Sequence, residues 1–165
     1  MENNNETVFT YRSSSPQDTE LLAGALARAS TPGTVIGLDG DLGAGKTAFS
    51  KGFASHLGVQ ELVNSPTFTI IKEYKGNLPL YHMDVYRISH QEADELGLDE
   101  YFYGQGVCLV EWSSMITDLL PSSRLHIYIE TVGMEERMIT VTGIGEPYGD
   151  LCRSLIKNGV KKNDD

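Results

Sequence analysis

Residues 40–47 read Gly-Asp-Leu-Gly-Ala-Gly-Lys-Thr, which fits the pattern G-x-x-x-x-G-K-[ST] of phosphate-binding loops. In such a loop, successive backbone N–H groups face the phosphates of a nucleotide, and the lysine (here Lys46) reaches the β and γ oxygens. The hydroxyl group of the next residue, Thr47, ligates Mg²⁺. The octapeptide therefore predicts that the chain binds a nucleoside triphosphate.

The segments on both sides of this loop support the prediction. Residues 34–38 form a short apolar run that is typical of a buried strand. Residues 48–57 carry apolar side chains at helical spacing, and Gly58 then supplies a stop signal. Strand, loop and helix thus occur in the order that brings phosphates to a helix N-terminus. A chance glycine-rich turn is the alternative, and the two flanking elements argue against it.

Length and charge limit the kind of protein that this chain can be. Its 165 residues predict a single domain over residues 1–165, with a core at about 6–158. The net charge of −10 argues against unaided binding of nucleic acid, because such binding needs a basic face. An acidic domain can still dock onto a basic protein partner.

Nothing in the sequence predicts export or insertion into a membrane. The first residues lack the basic and apolar segments of a secretory signal, and no apolar run approaches about 18 residues. Cys108 and Cys152 stand far apart, without metal-ligand spacing, so we expect both to be reduced packing residues. These features predict a cytoplasmic protein with no membrane partner.

Outside the loop, the pattern alternates between strands and helices. A first strand is expected at residues 8–12, and Ser15-Pro16 opens a helix that ends before Gly33. The later elements are a hairpin at 68–74 and 78–86, an acidic helix at 91–96, a buried strand at 107–110, a hairpin at 125–129 and 138–141, and a last helix at 147–157. This order predicts the α/β class, with a P-loop NTPase-like, mostly parallel sheet, added antiparallel hairpins and helices on both faces.

Two acidic residues are expected at the carboxyl ends of strands, where ligands bind in sheets of this kind. Asp84 shares a strand face with His82, because side chains alternate, and its carboxylate suits Mg²⁺ or the water around it. A hydrogen-bonded strand pair without a ligand role is an equal alternative for these two residues. Glu111 ends an apolar strand, as the acid of a Walker B segment does, and could orient the attacking water, ligate Mg²⁺ or both. A surface carboxylate is the alternative for Glu111.

Trp112 and Thr67 each have two possible roles. Trp112, the only tryptophan, follows the strand acid directly; packing is the commoner role, and stacking near the nucleotide is the other. Thr67 follows the helix of the loop, where P-loop GTPases have a switch threonine that senses the γ-phosphate, although a plain turn is equally consistent. The sequence has neither the Asn-Lys-x-Asp tetrad that reads guanine nor an arginine-rich lid. Arg87 and Arg137 are the candidates for an activating arginine.

Five motifs occur in order along the chain and together resemble one family. They are Gly-Asp-Leu-Gly-Ala-Gly-Lys-Thr at 40–47, Ser-Pro-Thr-Phe at 65–68, His-Met-Asp-Val-Tyr-Arg at 82–87, Glu-Leu-Gly-Leu-Asp-Glu-Tyr at 95–101 and Val-Glu-Trp at 110–112. The chain resembles the TsaE family (also called YjeE), small bacterial P-loop ATPases of tRNA threonylcarbamoyladenosine biosynthesis. The resemblance extends from about Thr19 to Gly143. The phosphate-binding loop alone is generic, whereas His-x-Asp-x-Tyr-Arg together with Glu-Trp is specific.

The resemblance implies a function and a set of partners. TsaE-like proteins bind ATP and Mg²⁺, hydrolyse ATP slowly alone, and act with the TsaD–TsaB heterodimer. That heterodimer transfers a threonylcarbamoyl group onto the adenosine next to the anticodon of ANN-decoding tRNAs. By this resemblance, the chain meets tRNA only indirectly, through the complex.

The resemblance also implies roles for individual residues. Mg²⁺ would be held by Thr47 and Glu111, with Asp84 at the metal or its water, and Ser15–Thr19 would form a loop that closes over the adenine. The catalytic set would be Lys46, Asp84, Glu111 and Thr67, the last as a switch-like threonine. The nucleotide would be contacted by Asp41, Leu42, Gly43, Ala44, Gly45, Lys46, Thr47, Ala48, Trp112 and Arg137.

Two other functions could use the same loop. A small-molecule kinase would use Asp84 as the base for its substrate, but the arginine-rich lid that favours this function is absent from the sequence. A nucleotide-sensing module would bind without hydrolysis, and Glu111 would then only hold Mg²⁺.

Overall fold

The computed structural model describes residues 5–41, 43–64, 70–86 and 88–160, in which seven strands form one sheet. The strands are β1 (Glu6–Ser13), β2 (Val35–Gly40), β3 (Ile71–Tyr74), β4 (Leu80–Asp84), β5 (Val107–Glu111), β6 (Arg124–Thr131) and β7 (Arg137–Ile144). The helices are α1 (Pro16–Arg28), α2 (Lys46–His56), α3 (His90–Asp94), α4 (Leu98–Phe102) and α5 (Tyr148–Asn158), with a 3-10 segment at Ser113–Leu119.

The sheet has a parallel centre and antiparallel edges. Its strand order is β1-β7-β6-β2-β5-β4-β3, and the four central strands β6, β2, β5 and β4 run parallel. The β3–β4 and β6–β7 pairs are antiparallel hairpins, and β1 joins the edge by pairing antiparallel with β7. The predicted α/β class, with its mostly parallel core and added hairpins, is confirmed.

Apolar side chains fill both faces of the sheet, because the central strands are buried on both sides. In β5, Val107 and Leu109 point to the face covered by α1, α2 and α5. Cys108 and Val110 point to the other face, against α3, α4 and the 3-10 segment. Helices therefore pack on both faces, as predicted. Cys108 and Cys152 are both buried and unpaired, which agrees with their predicted packing role.

Helix α1 begins with the signals that its sequence predicted. The side chain of Ser15 accepts a hydrogen bond from the Asp18 backbone N–H at 3.2 Å, and Pro16 occupies the first turn. The stretch Ser15–Thr19, expected by resemblance to be a loop over the adenine, is instead the cap and first turn of this helix. Thr19 is buried there, with its hydroxyl 2.7 Å from that of Ser13.

Two short elements were absent from the sequence-based prediction. Helix α4 follows Gly97 (φ 70°), and the 3-10 segment follows Trp112 (φ 64°), both in the left-handed conformation. Neither start has a side-chain cap, and the acidic Asp99 and Glu100 in the first turn of α4 are the start signal that the sequence does offer. Within the described ranges, every helix is too short or too polar to cross a membrane.

Candidate nucleotide site

The loop between β2 and α2 has the backbone of an open cradle. Gly43 (φ 78°) and Gly45 (φ 106°) both adopt the left-handed conformation, which residues with a Cβ rarely reach. A Cβ added at either position would meet no atom of the described part of the chain within 4 Å. These glycines are therefore required by the conformation of the loop, and the space beside them is free for a ligand.

Among the described residues, no side chain caps the N-terminus of α2. Gly45 at the N-cap has no side chain to accept from the first backbone N–H groups of the helix. The first turns of α1 and α3 are capped by Ser15 and Ser89, with a capping box at α3, whereas α4 and α5 also begin without a side-chain cap from their N-cap residues. What distinguishes α2 is the glycine loop before it. An uncapped helix start next to a glycine loop is a ready site for an anion such as a phosphate.

Lys46 lies inside this loop and is only 8% exposed. Its Nζ donates to the carbonyl oxygens of Gly40 at 3.0 Å and Asp41 at 3.2 Å. It also lies 4.4 Å from the centroid of the Trp112 ring, within the range of a cation–π contact. The ammonium group is thus held by the loop and the indole, and a phosphate would compete with neutral partners for it.

Asp84 and Glu111 end two neighbouring parallel strands at the same level. They are directly opposite each other in the register of β4 and β5. Glu111 is 3% exposed, whereas Asp84 is partly exposed and its Oδ1 accepts from the backbone N–H of Tyr86 at 2.9 Å. The structure therefore brings the two predicted acids together, on the face of the sheet that α2 covers.

His82 is a partner of Glu111 that the sequence prediction did not include in the site. Its Nε2 lies 2.6 Å from Oε2 of Glu111, and the Ser50 hydroxyl donates to the same oxygen at 3.5 Å. His82 is fully buried, and its Nδ1 has no hydrogen-bond partner among the described residues. The signal for this contact was present, because alternate residues of parallel neighbouring strands share a face. What the sequence lacked was the pairing of β4 with β5.

Trp112 lies beside the loop, and its partly buried side chain also packs against the apolar cluster on the face of the sheet opposite to α2. Its backbone is left-handed (φ 64°, ψ 35°), which is unfavourable for a residue with a Cβ. Its ring is 4.6 Å from the ring of Tyr86 and covers Lys46 on another side. This position is compatible with both possible roles, since the ring packs against an apolar cluster and also lies over Lys46.

The side chain of Arg137 contacts the backbone of the loop between β2 and α2. Its Nε donates to the Ala44 carbonyl oxygen at 2.8 Å. Its Nη1 donates within the β6–β7 hairpin, to the carbonyl oxygens of Gly133 at 3.2 Å and Glu136 at 2.9 Å. In this conformation the Arg137 guanidinium joins the loop to the β6–β7 hairpin, and its contact with a nucleotide stays a prediction.

Some of the remaining predicted site residues lie within the described ranges, and others lie outside them. Thr47 and Ala48 lie in the first turn of α2, with Thr47 exposed, and Asp41 is exposed with its Oδ1 3.4 Å from the Tyr128 hydroxyl. Three of the predicted residues lie outside the described ranges: Leu42, Thr67 and Arg87. Among the described residues, no three His, Cys, Asp or Glu side chains are grouped as a metal site on their own. Mg²⁺ does not need such a group, since it usually combines one or two carboxylates with water and substrate phosphates.

Comparison with known proteins gives the same family by sequence and by structure. A family profile described as "Threonylcarbamoyl adenosine biosynthesis protein TsaE" matches residues 13–139. The tRNA threonylcarbamoyladenosine biosynthesis protein TsaE of Bacillus subtilis is 55% identical over 149 residues, covering 90% of this chain and 94% of that protein. The protein of the same name from Treponema pallidum is 43% identical over 130 residues, covering 78% and 96%. The crystal structure of YdiB from Bacillus subtilis superposes with a TM-score of 0.82 at 50% identity, covering 92% of this chain and 96% of that chain.

Proposed function

Because the chain belongs to the TsaE family of tRNA threonylcarbamoyladenosine biosynthesis proteins, we propose that it is a Mg²⁺-dependent ATPase of that biosynthesis. It binds ATP, hydrolyses it slowly, and acts with the TsaD–TsaB heterodimer in forming the threonylcarbamoyl group next to the anticodon of ANN-decoding tRNAs. The observation that carries the proposal is the uncapped N-terminus of α2, with its glycine cradle, beside two strand-end carboxylates in register.

The phosphates are bound by the loop and by Lys46. The free space beside Gly43 and Gly45 accepts the phosphate tail, and the uncapped start of α2 supplies N–H groups and the positive end of the helix dipole. Lys46 exchanges the carbonyl oxygens of Gly40 and Asp41 for phosphate oxygens, which gives a stronger, charge-assisted hydrogen bond.

Mg²⁺ fits the donor set at this site. Thr47 offers a hydroxyl group, and Asp84 and Glu111 offer carboxylates, all of them the hard oxygen ligands that this ion prefers. Bound Mg²⁺ would neutralise charge on the phosphates. Glu111, held by His82, is placed to orient the attacking water, and its burial keeps the carboxylate fixed.

Slow hydrolysis follows from the charges around the site. Fast phosphoryl transfer needs a further cation directed at the γ-phosphate in addition to the lysine of the loop. The Arg137 guanidinium donates to four backbone carbonyl groups, those of Ala44, Gly133, Met134 and Glu136. We infer that docking on TsaD–TsaB completes or reshapes the site, and the net charge of −10 favours a basic docking surface.

The test uses the full chain and its cognate TsaD–TsaB heterodimer. Binding of ATP is measured with and without Mg²⁺ and in competition with GTP, and phosphate release is measured with and without the heterodimer. We expect Mg²⁺-dependent binding that prefers adenine, release well below the ~1–100 s⁻¹ of kinases, and a rate that the heterodimer changes. Capture of the heterodimer on the immobilised chain, with and without ATP, measures the partnership directly.

Three results would contradict the proposal in different ways. Fast release that the heterodimer leaves unchanged would mean an independent hydrolase. Transfer of the phosphoryl group to a small acceptor would mean a kinase. Tight binding without any release, even with the heterodimer, would mean a nucleotide-sensing module.

A further inference from the structure

Asp39 accepts hydrogen bonds from three residues on the face of the sheet opposite to α2. It is the next-to-last residue of β2 and is 4% exposed. Its Oδ2 lies 2.6 Å from the Ser113 hydroxyl and 2.8 Å from Nε2 of His126. Its Oδ1 accepts from the backbone N–H of Ser114 at 3.2 Å and from the Ser114 hydroxyl at 3.1 Å. A buried carboxylate with four donors is fixed, and it fixes those donors in turn.

Two of these partners, Ser113 and Ser114, directly follow Trp112 in the chain. The backbone N–H of Trp112 itself also donates to the Leu38 carbonyl oxygen of β2, at 3.0 Å. Close packing reinforces the arrangement, because a Cβ at Gly37 would collide with the Ser113 hydroxyl. The chain on both sides of the Trp112 side chain is thus attached to β2.

Trp112 needs such anchoring. A left-handed backbone at a residue with a Cβ costs on the order of 1 kcal/mol and persists only where surrounding contacts hold it. That backbone conformation directs the indole over Lys46, at 4.4 Å, and against Tyr86. Asp39 acts on the indole through the chain, because it accepts hydrogen bonds from Ser113 and Ser114, which follow Trp112.

We propose that Asp39 is the positioning residue for Trp112: it holds Ser113 and Ser114 so that the indole lies over Lys46 of the phosphate-binding loop. The hydrogen bonds of Asp39 with Ser113, Ser114 and His126, here called the clamp, do not depend on the proposed function. Its consequence for nucleotide binding does rest on that function, because it assumes that Lys46 leaves the indole for a phosphate.

The test uses the fluorescence of Trp112, the only tryptophan in the chain. Emission spectra and acrylamide quenching are recorded without nucleotide for Asp39→Asn and Ser113→Ala. We expect both variants to shift the emission to longer wavelengths and to raise the quenching constant, with the larger change in Asp39→Asn. Asp118→Asn is the matched control. Asp118 lies in the same 3-10 segment, and the variant loses only an exposed pair with His90 of α3.

Loss of stability alone would not move the emission of the folded protein, so circular dichroism first establishes that each variant is folded. Unchanged emission and quenching in folded Asp39→Asn and Ser113→Ala would overturn the proposal. If Asp39→Asn does not fold, Ser113→Ala decides, because it keeps the other three donors of the clamp.

Addition of ATP separates this proposal from the proposed function. In the wild-type protein, ATP should change the Trp112 emission, and the change should be smaller in the folded clamp variants. If ATP does not bind, the proposed function is contradicted. If ATP binds without changing the wild-type emission, Lys46 does not leave the indole, and the consequence of the Asp39 contacts for nucleotide binding is contradicted. The nucleotide-free spectra still decide whether Asp39 positions Trp112.

Discussion

At the residue scale, Lys46 is the cation that the loop itself supplies to a triphosphate. Lys46→Ala should weaken ATP binding by about tenfold or more, because a hydrogen bond to a charged group contributes about 1.5–3 kcal/mol. Isothermal titration calorimetry measures the change. Lys51→Ala, an exposed lysine on the same helix, is the control and should bind like the wild type. Equal affinity of Lys46→Ala and wild type would remove the loop from the nucleotide site.

Glu111 should affect hydrolysis more than binding. Glu111→Gln keeps the shape of the side chain but removes the charge that holds Mg²⁺ and orients water in the transition state, while the phosphate cradle remains. We therefore expect phosphate release to fall by about 100-fold or more, with only a small change in ATP affinity. Glu73→Gln, at an exposed position of β3, serves as the control. Parallel losses of binding and release would make Glu111 a binding residue only.

His82 should stabilise the fold through Glu111. His82→Leu leaves a buried carboxylate without its main donor, which costs about 3–5 kcal/mol when the partner of a buried pair is lost. His82→Gln can still donate to Glu111 and should lose less. Urea unfolding of both variants measures the difference. In the Glu111→Gln background, His82→Leu should cost clearly less, and additive losses would contradict a direct link between the two residues.

At the scale of elements, Asp39 joins β2 to β6 and to the 3-10 segment, and this connection depends on pH. Burial raises the pKa of Asp39, but hydrogen bonds from His126, Ser113 and Ser114 outweigh it and lower the pKa below its ordinary 3.8. Because the folded pKa lies below the unfolded one, the carboxylate stabilises the fold above about pH 4 and loses that effect as the pH falls through the folded pKa. Asp39→Asn should therefore lose less stability than wild type between about pH 5 and pH 3.

Urea unfolding at a series of pH values measures this slope. The control is Asp118→Asn, whose His pair is exposed and contributes little to stability. A slope in Asp39→Asn equal to that of wild type would mean that another group accounts for the acid sensitivity.

The elements that sequence analysis predicted are those with a complete pattern of their own. Helix α1 has a cap, a proline and an apolar stripe, and β5 is a continuous apolar run. Helix α4 and the 3-10 segment have five and seven residues and no side-chain cap, so neither an apolar period nor a cap residue could identify them. Their conformation is determined by the apolar residues against which they pack more than by local sequence signals.

The site was predictable where its residues are close in sequence or end predicted strands. Residues 40–47 identify the loop, and the ends of β4 and β5 identify Asp84 and Glu111. The contact of His82 with Glu111 needed the strand order, which the sequence does not encode locally. The clamp of Asp39 needed more, because its partners come from two other elements and meet only after the sheet has formed.

At the scale of the whole molecule, the two thiols report how closed the cores are. Burial raises the pKa of Cys108 to about 12 and that of Cys152 to about 11. Since the thiolate is the reactive form, the folded protein should not react with a thiol reagent such as DTNB at about pH 8, and both thiols should react after unfolding. Labelling of either cysteine in the folded state would show that the core around it opens.

Strand β1 is synthesised long before the strand it pairs with. Its register with β7 joins Ser13 to Arg137, so roughly 120 residues must be added before β1 can pair with β7. At about 5–20 residues per second, β1 waits on the order of ten seconds for its partner. Unpaired strands template aggregation, and charges on the strand oppose it. Glu6 and Arg12, exposed on β1, provide such charges. They protect β1 in the nascent chain until the β6–β7 hairpin has formed and pairs with it.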